Sequence, residues 1–225
     1  DRFYSEVAKA APQWASAIIT VSSSVANELI EISTAPEYFT QSFSAGTDLE
    51  GLALTFTPNG GPSFYEQTVE EIDDFPTDPA GGLVLDFDFM GDPIQAGLFG
   101  EGTVPFYGMY YDTLYISSGG WVSFGEPGQA PETLGDHFAA SQMSALNVDG
   151  THPNAMVSYL QEEDKLIITY ENAPTADAPG FGNDFQLEMF IDGRIRVSYP
   201  SVDPAMSGVI GLSSGLGAGG LPPAD

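Results

Sequence analysis

The sequence predicts an all-β fold, an antiparallel β-sandwich of jelly-roll-like type with a short N-terminal helix and strand extension. Two observations favour this fold class. From Tyr38 onward, short apolar or alternating segments recur at a regular spacing, and Gly, Pro, Asn and Asp residues separate them. Short strands joined by tight turns are typical of sandwiches and jelly rolls. The chain therefore divides into an extension, residues 1–37, and a sandwich module, residues 38–225.

The extension contains a candidate helix and a candidate strand. Residues 1–11 place Phe3 and Val7 near one helix face, and Pro12 ends the helix. The apolar segment WASAIITV at residues 14–21 is typical of a strand. This strand either completes the sheet of its own chain or adds to an open sheet edge of a neighbour. Its candidate assembly residues are Trp14, Ile18, Ile19 and Val21.

Twelve strands are expected in the module, together with one helical turn near residues 136–142 in the longest connection, residues 126–154. The acidic stretch at 70–82 is too rich in Pro and Gly for regular structure. The expected strands lie near residues 38–44, 52–57, 63–68, 82–89, 103–107, 112–118, 121–125, 155–160, 165–171, 183–190, 194–199 and 207–212. Tight hairpins are expected at residues 118–121 and 162–164.

A third hairpin can be predicted in register. A three-residue loop of Ile191, Asp192 and a left-handed Gly193 keeps apolar residues opposite apolar residues across the two strands. The same register places Glu188 opposite Arg196, so part of the small basic complement is structural. The expected apolar pairs are Met189 with Ile195, Leu187 with Val197, and Phe185 with Tyr199.

Charge is the strongest compositional signal, with 32 Asp and Glu residues against 5 Lys and Arg and a formal net charge of -27. An acidic surface of one sign repels phosphates and anionic lipid headgroups, which argues against nucleic acid and bare membrane as partners. It attracts cations and basic partners, or it reflects solubility in a salty medium. The chain has no Cys, which excludes thiol catalysis, and no apolar run long enough to cross a bilayer.

Two motifs of known chemistry occur near the C-terminal end, and neither fits its context. Residues 211–215 match the nucleophile elbow, but no helix-forming segment and no His follow them. Residues 215–220 match the dinucleotide fingerprint, again without a following helix. His137 beside Asp136 resembles half of a catalytic triad, but no Ser is distinguished as its partner. We predict that the protein is not an enzyme, and a chance pair of facing carboxylates is the enzymatic alternative.

Calcium is the cofactor that the acidic loops suggest, because hard cations bind several oxygen ligands from loops. The loops at 70–79, 86–92 and 147–152 offer such oxygens, and Asp136 and Asp149 are the candidate metal ligands. None of these loops has the twelve-residue EF-hand pattern, so the alternative is a solvated acidic loop. A zinc site formed by the two histidines with Asp149 is a second alternative.

Aromatic residues are plentiful and support two interpretations. A cluster in and beside the strand near 103–107 could form a face for stacking sugars, or it could be core and cross-strand pairs. The cluster consists of Phe106, Tyr107, Tyr110, Tyr111 and Tyr115. Trp121, Tyr110 and Tyr111 are the candidate ligand-binding residues.

Five segments have strand and turn patterns that resemble one family. They are YDTLYISSGGWVSFG at 111–125, DHFAASQMSAL at 136–146, ITYENAP at 168–174, FQLEMFIDGRIRVSY at 185–199 and GVIGLSSG at 208–215. They resemble the nidogen-like extracellular β-modules that recur in large secreted proteins of planctomycetes and other aquatic bacteria. The segments at 39–58 and 75–82 resemble the start of the same module.

The resemblance covers about residues 38–220 and implies a non-catalytic β-sandwich with an extracellular or cell-surface location. Such modules are often repeated or placed beside adhesive or enzymatic domains. Two positions depart from the pattern. Gly119 stands where Asn is usual, which keeps the turn, and Val148 interrupts a usual acidic pair before Asp149, which argues against a cation site there.

These observations predict a non-catalytic structural or adhesive surface module that assembles, for example into filaments, through the strand at 14–21. Its expected partners are other protein subunits, extracellular matrix or glycans. The alternative is a carbohydrate-binding module attached to a secreted enzyme.

Overall fold

The chain folds into two antiparallel β-sheets that pack face to face, which confirms the predicted all-β sandwich. The computed structural model describes residues 39–43, 47–60, 64–87, 94–97, 104–175 and 178–215. The predicted N-terminal helix and strand lie outside these residues. The strands are β1 (Thr40–Phe43), β2 (Leu52–Pro58), β3 (Tyr65–Glu71), β4 (Leu83–Val84), β5 (Ile94–Gly97), β6 (Val104–Phe106), β7 (Met109–Tyr111), β8 (Thr113–Ile116), β9 (Trp121–Phe124), β10 (Ser141–Ser144), β11 (Met156–Gln161), β12 (Lys165–Thr175), β13 (Ala178–Phe190), β14 (Ile195–Ser201) and β15 (Gly208–Ser214), and the helix is α1 (Leu134–Phe138).

The two sheets differ in connectivity. The first has six strands in the order β1-β15-β10-β9-β8-β5, and the second has seven in the order β3-β2-β14-β13-β12-β11-β4. A separate two-stranded ribbon, β6-β7, lies at one end. Each edge of the first sheet is therefore a short strand of four residues, whereas the centre of the second sheet is the long strand β13.

The predicted hairpin between β13 and β14 is confirmed in most of its register. Met189 lies opposite Ile195, Leu187 opposite Val197 and Glu188 opposite Arg196. Gly193 closes the loop at a φ of 89°, a left-handed value that a side chain would strain. The hairpins at residues 118–121 and 162–164 also form.

One predicted pair in that hairpin is wrong. The register shifts between Gln186 and Asp184, so Asp184 lies opposite Ser201 and Phe185 is not directly opposite Tyr199. A β-bulge of this kind adds a residue to one strand, which sequence alternation alone does not reveal. The two rings still lie near each other, with centroids 6.5 Å apart.

Three short strands, β5, β7 and β10, fall where no strand was predicted. The segment SQMS of β10 lies between β9 and β15 and buries Met143, although its sequence carries no clear strand signal. The helix begins and ends earlier than predicted, at residues 134–138, because Thr133 and Asp136 form a capping box at its start. Tertiary pairing decided the three short strands, whereas the start of the helix is set locally by its capping box.

Two buried tyrosines tie the sheets together across the core. The hydroxyl of Tyr199 on β14 donates to the carbonyl oxygen of Ala145, 3.0 Å away, and that of Tyr170 on β12 donates to the carbonyl of Ser117. Burial raises the pKa of both hydroxyls, so each stays protonated and donates at neutral pH. The bonds satisfy polar groups that would otherwise be costly inside the core.

A strap of eleven residues, 72–82, crosses the outer face of the second sheet from β3 at one edge to β4 at the other. The six strand spacings it must cross amount to about 29 Å, within the reach of an extended chain of this length. Thr77 attaches the strap to the central strand, because its hydroxyl donates to Glu188 at 2.7 Å and its backbone exchanges hydrogen bonds with Gln186. The acidic stretch that lacked any regular pattern is therefore ordered by side chains of β13.

Candidate functional site

A partly open apolar cavity of about 240 Å³ lies between the sheets beside the edge strand β1. Residues of both sheets line the cavity, so it lies between the sheets of the sandwich and is not a shallow depression on the outer surface. Its apolar lining includes Phe39, Phe43, Leu54, Phe56, Tyr199 and Leu212. Phe39, the first residue that the structure describes, is one of the lining residues. Unfilled apolar space of this size is larger than the roughly 150 Å³ that holds a benzene ring in other proteins.

The hydrogen-bonding edge of β1 is open within the part of the chain that the structure describes, because β1 is the last strand of its sheet. Leu212 N–H donates to the Phe39 carbonyl, so this opposed pair is a hydrogen-bonded one. The pattern alternates along an antiparallel ladder, which turns the N–H and C=O groups of Thr40 and Ser42 away from β15. Those groups are placed to pair with a further strand.

The edges of the sandwich are protected to different degrees. Edge strand β3 exposes the side chains of Glu66, Glu70 and Glu71, and edge strand β4 has only two residues. Charged and very short edges are the usual protection against strand addition. In contrast the two edge strands of the first sheet carry no charge, with the sequences TQSF in β1 and IQAG in β5. The open edge beside the cavity is therefore an uncharged edge on a strongly acidic protein.

The predicted assembly residues Trp14, Ile18, Ile19 and Val21 lie outside the described residues. The structure locates the point at which their segment joins the sandwich, since Phe39 both begins the described chain and lines the cavity.

Of the three predicted ligand-binding aromatics, Tyr110 is the exposed one, with 72% of its surface accessible. The half-buried Trp121 packs its indole across Gly119, where an added methyl would lie 1.8 Å from the ring. Tyr111 is half-buried against Phe124, with ring centroids 5.4 Å apart. The three side chains therefore do not present one continuous row of exposed rings.

Of the other aromatics of the predicted cluster, Phe106 and Tyr107 are buried and Tyr115 is half-buried. Phe106 is fully buried and stacks on Phe124 at 3.9 Å between centroids. Tyr107 is also buried, and it contacts Phe64, a residue that the sequence did not single out. Phe64 is 43% exposed and has a φ of 60°, so a left-handed backbone holds its ring at the surface. Left-handed φ at an aromatic residue is rare, and no sequence signal predicts it.

The candidate metal ligands do not converge. Asp136 accepts hydrogen bonds from Thr133 in the capping box of α1, and Asp149 accepts two from Thr151 in its own turn. Among the residues the structure describes, no group of three or more His, Asp or Glu side chains could hold a metal ion. Loop 70–79 belongs largely to the strap, and part of loop 86–92 lies outside the described residues.

His137 is a buried, neutral side chain of α1 that lies against the first sheet. Its Nδ1 lies 2.9 Å from the Ser144 hydroxyl and its Nε2 lies 3.2 Å from the Thr40 hydroxyl. The Thr40 hydroxyl donates its proton to the Leu212 carbonyl. It therefore accepts a hydrogen bond from Nε2, which carries the ring proton. Burial lowers the pKa of His137 to about 4. His152 lies apart from it, in a turn where Nδ1 accepts from Asn154.

Ser213 of the elbow-like motif is fully buried on strand β15, opposite Gln142 of β10. Its hydroxyl accepts from the backbone of Gly215, and residues 208–214 continue as a strand where a nucleophile elbow requires a turn and a helix. The surroundings of Ser213 are those of a structural core residue.

No helix in the described part of the chain is long and apolar enough to span a membrane. A scan of protein-family models, a search of curated proteins and a search of solved structures each found no match to the chain. The fold places the protein in the class of all-β sandwiches, and in the part of the chain that the structure describes β1 is an edge strand beside a cavity between the sheets.

Proposed function

We propose that this protein is a non-catalytic extracellular structural or adhesive module that assembles by strand addition. The strand at residues 14–21 of one copy pairs with the open edge of β1 in the next copy. Its large apolar side chains occupy the gap between the sheets. The observation that carries the proposal is the cavity of about 240 Å³ directly beside an uncharged edge strand.

The cavity supports the proposal energetically. Empty apolar volume costs about 24 cal/mol per Å³, so filling a closed cavity of this size would contribute about 6 kcal/mol. That figure is an upper limit, since the cavity is partly open. The gain is large relative to the stability of a typical domain.

Charge supports the choice of residues 14–21 as the incoming strand. Residues 10–27 carry no charged side chain, although the chain has a net charge of -27. Two copies with such a charge repel each other across most of their surfaces. A neutral strand on the neutral edge TQSF brings the copies together where that repulsion is smallest.

The test compares the full chain, residues 1–225, with a chain that begins at Ala35 and with Ser42→Pro. Proline at position 42 removes an N–H that faces the open edge and keeps the bonds between β1 and β15. Ser42→Ala is the matched control. Negative-stain electron microscopy and light scattering over a range of protein concentrations measure assembly at high salt, where repulsion is screened.

We expect filaments or concentration-dependent oligomers from the full chain and from Ser42→Ala, and monomers from the other two. Monomers of the full chain at every concentration, with the Trp14 fluorescence of a buried indole, would show that the strand completes its own sheet. That outcome, or assembly that persists in Ser42→Pro, would refute the proposal.

A further inference from the structure

Three turns bring apolar side chains together at the surface. We call this the end patch, and its residues are Pro58, Phe64, Pro105, Tyr110 and Ile191. Tyr110 pairs with Pro105 across the β6-β7 ribbon. A methyl on Gly193 would lie 2.9 Å from Pro58 and 3.6 Å from Pro105. The β13-β14 loop, which also carries Ile191, therefore packs against both prolines.

Phe64 joins the end patch through Gly108. A methyl at Gly108 would come within 2.9 Å of the Phe64 ring, so the ring covers that glycine. The Phe64 ring also makes an edge contact with Tyr107, with centroids 5.6 Å apart. The ring is thus fixed from beneath while 43% of the residue stays exposed.

Two backbone positions at this site are in the left-handed region, and one of them, Tyr107, forms the two-residue β6-β7 hairpin loop with Gly108. Among the described residues, three that are not glycine have positive φ, and two of these are Phe64 at 60° and Tyr107 at 46°. Such conformations cost of order 1 kcal/mol or more each, and they concentrate at ligand sites. The Tyr65 hydroxyl accepts from Tyr107 N–H at 3.2 Å, which helps to hold the turn in place.

The end patch carries few charges for so acidic a protein, although Asp164 borders it beside Ile191. The described residues of the two turns, 56–60 and 104–111, include no Asp, Glu, Lys or Arg. In the third turn, Asp192 is neutralised by Arg194 at 2.8 Å. A charged ligand of either sign gains little electrostatic attraction at the end patch. A neutral ligand is not repelled by the acidic surface and can contact the aromatic rings.

The area of the end patch limits the size of its ligand. Phe64 and Tyr110 are 43% and 72% exposed, and aromatic side chains measure roughly 200 Å² each. Their exposed surface is therefore about 230 Å², less than a third of the ~800 Å² that a stable protein interface needs on each side. The patch suits a smaller ligand that stacks on fixed rings.

We infer that the end patch is a binding site for neutral polysaccharides, with Tyr110 and Phe64 as the stacking rings. The apolar C–H faces of neutral pyranoses stack on aromatic rings. Because the rings are already fixed, little conformational entropy is lost on binding. The site differs from the predicted set, since it contains Phe64 and leaves out Trp121.

The experiment is affinity electrophoresis of the full chain in native gels that contain hydroxyethyl cellulose, laminarin, galactomannan or dextran, with anionic alginate for comparison. Tyr110→Ala removes one ring, and Tyr110→Phe keeps it. Phe64→Asn removes the other ring without adding strain, because Asn tolerates left-handed φ. Phe181→Ala is the matched control, an exposed aromatic about 30 Å from Phe190 along β13.

We expect retardation by at least one neutral polysaccharide, weakened about tenfold in apparent Kd by Tyr110→Ala and by Phe64→Asn. Tyr110→Phe and Phe181→Ala should bind as the parent does, and alginate should cause no retardation. No retardation by any of the four neutral polysaccharides would overturn the inference, as would equal binding by Tyr110→Ala. A change in oligomeric state with Tyr110→Ala and no retardation would assign the patch to protein contact, which also overturns it.

The inference is independent of strand addition. Ser42→Pro blocks the β1 edge and leaves the end patch unchanged, so its retardation reports the sugar site alone. Failure of assembly and failure of sugar binding are thereby separate results.

Discussion

Glu188 is a buried carboxylate that three other side chains contact. Its carboxylate is fully buried and accepts hydrogen bonds from Arg196, from Lys165 at 2.9 Å and from Thr77 at 2.7 Å. Burial alone would raise the pKa of Glu188, but these donors together lower it below its usual value. The carboxylate is charged because its partners replace the water that it has lost.

Replacing Glu188 tests this arrangement. Glu188→Gln removes the buried counter-ion of Lys165 and Arg196, and we expect a loss of about 2 to 3 kcal/mol of unfolding free energy at pH 7 in urea titrations. The folded pKa of Glu188 is lowered, so its contribution is present above the unfolded value and is lost as pH falls through the folded one. The variant should therefore lose less stability than the parent in acid. Glu162→Gln, which removes an exposed partner of Lys165 at 3.5 Å, is the control and should cost under about 0.5 kcal/mol.

His137 has the opposite relation to acid. Burial lowers its folded pKa to about 4 from an ordinary 6.5, so the unfolded chain binds a proton more readily between these pH values. We expect this residue to remove about 3 kcal/mol of stability as pH falls from 6.5 to 4. His137→Gln should flatten that part of the stability profile, and His152→Gln should not. An unchanged profile in His137→Gln would contradict a buried neutral imidazole.

At the scale of elements, the strap at 72–82 depends on one attachment to β13. Thr77→Val removes the hydroxyl that donates to Glu188 and keeps the shape of the side chain. We expect a loss of about 1 to 2 kcal/mol and faster amide hydrogen exchange throughout residues 72–82, because the strap lies on the sheet with little regular structure of its own. Thr77→Ser keeps the hydroxyl and should protect the strap nearly as well as the parent. Faster amide hydrogen exchange at residue 77 alone would argue against a single attachment point.

At the scale of the whole molecule, the net charge of -27 opposes folding. Screening shortens the range of this repulsion from about 30 Å at 0.01 M salt to about 3 Å at 1 M. We expect Tm to rise by about 5 °C over that range, by the same amount in NaCl and KCl, as measured by differential scanning calorimetry. A further rise with millimolar calcium that EDTA reverses and Asp149→Asn abolishes would instead reveal a specific cation site.

The predictability of the fold varied with the kind of signal. Strongly alternating hairpins such as β13-β14 could be placed in register, because one buried face permits only one pairing. Short strands such as β10 and the ribbon strand β7 could not, because three or four residues hold too little pattern. The bulge at Gln186 and the left-handed Phe64 depend on contacts from other parts of the chain.

The sequence by itself determined the fold class, most strand positions and the acidic character, because periodicity, turn residues and charge are local properties. Tertiary structure alone decided which groups meet. It placed Thr77 on Glu188, 111 residues apart, and enclosed His137 between Thr40 and Ser144. It left the gap beside β1 and assembled the end patch from three distant turns. These features are contacts between segments that are remote in sequence, and composition and spacing carry no information about how such segments pack.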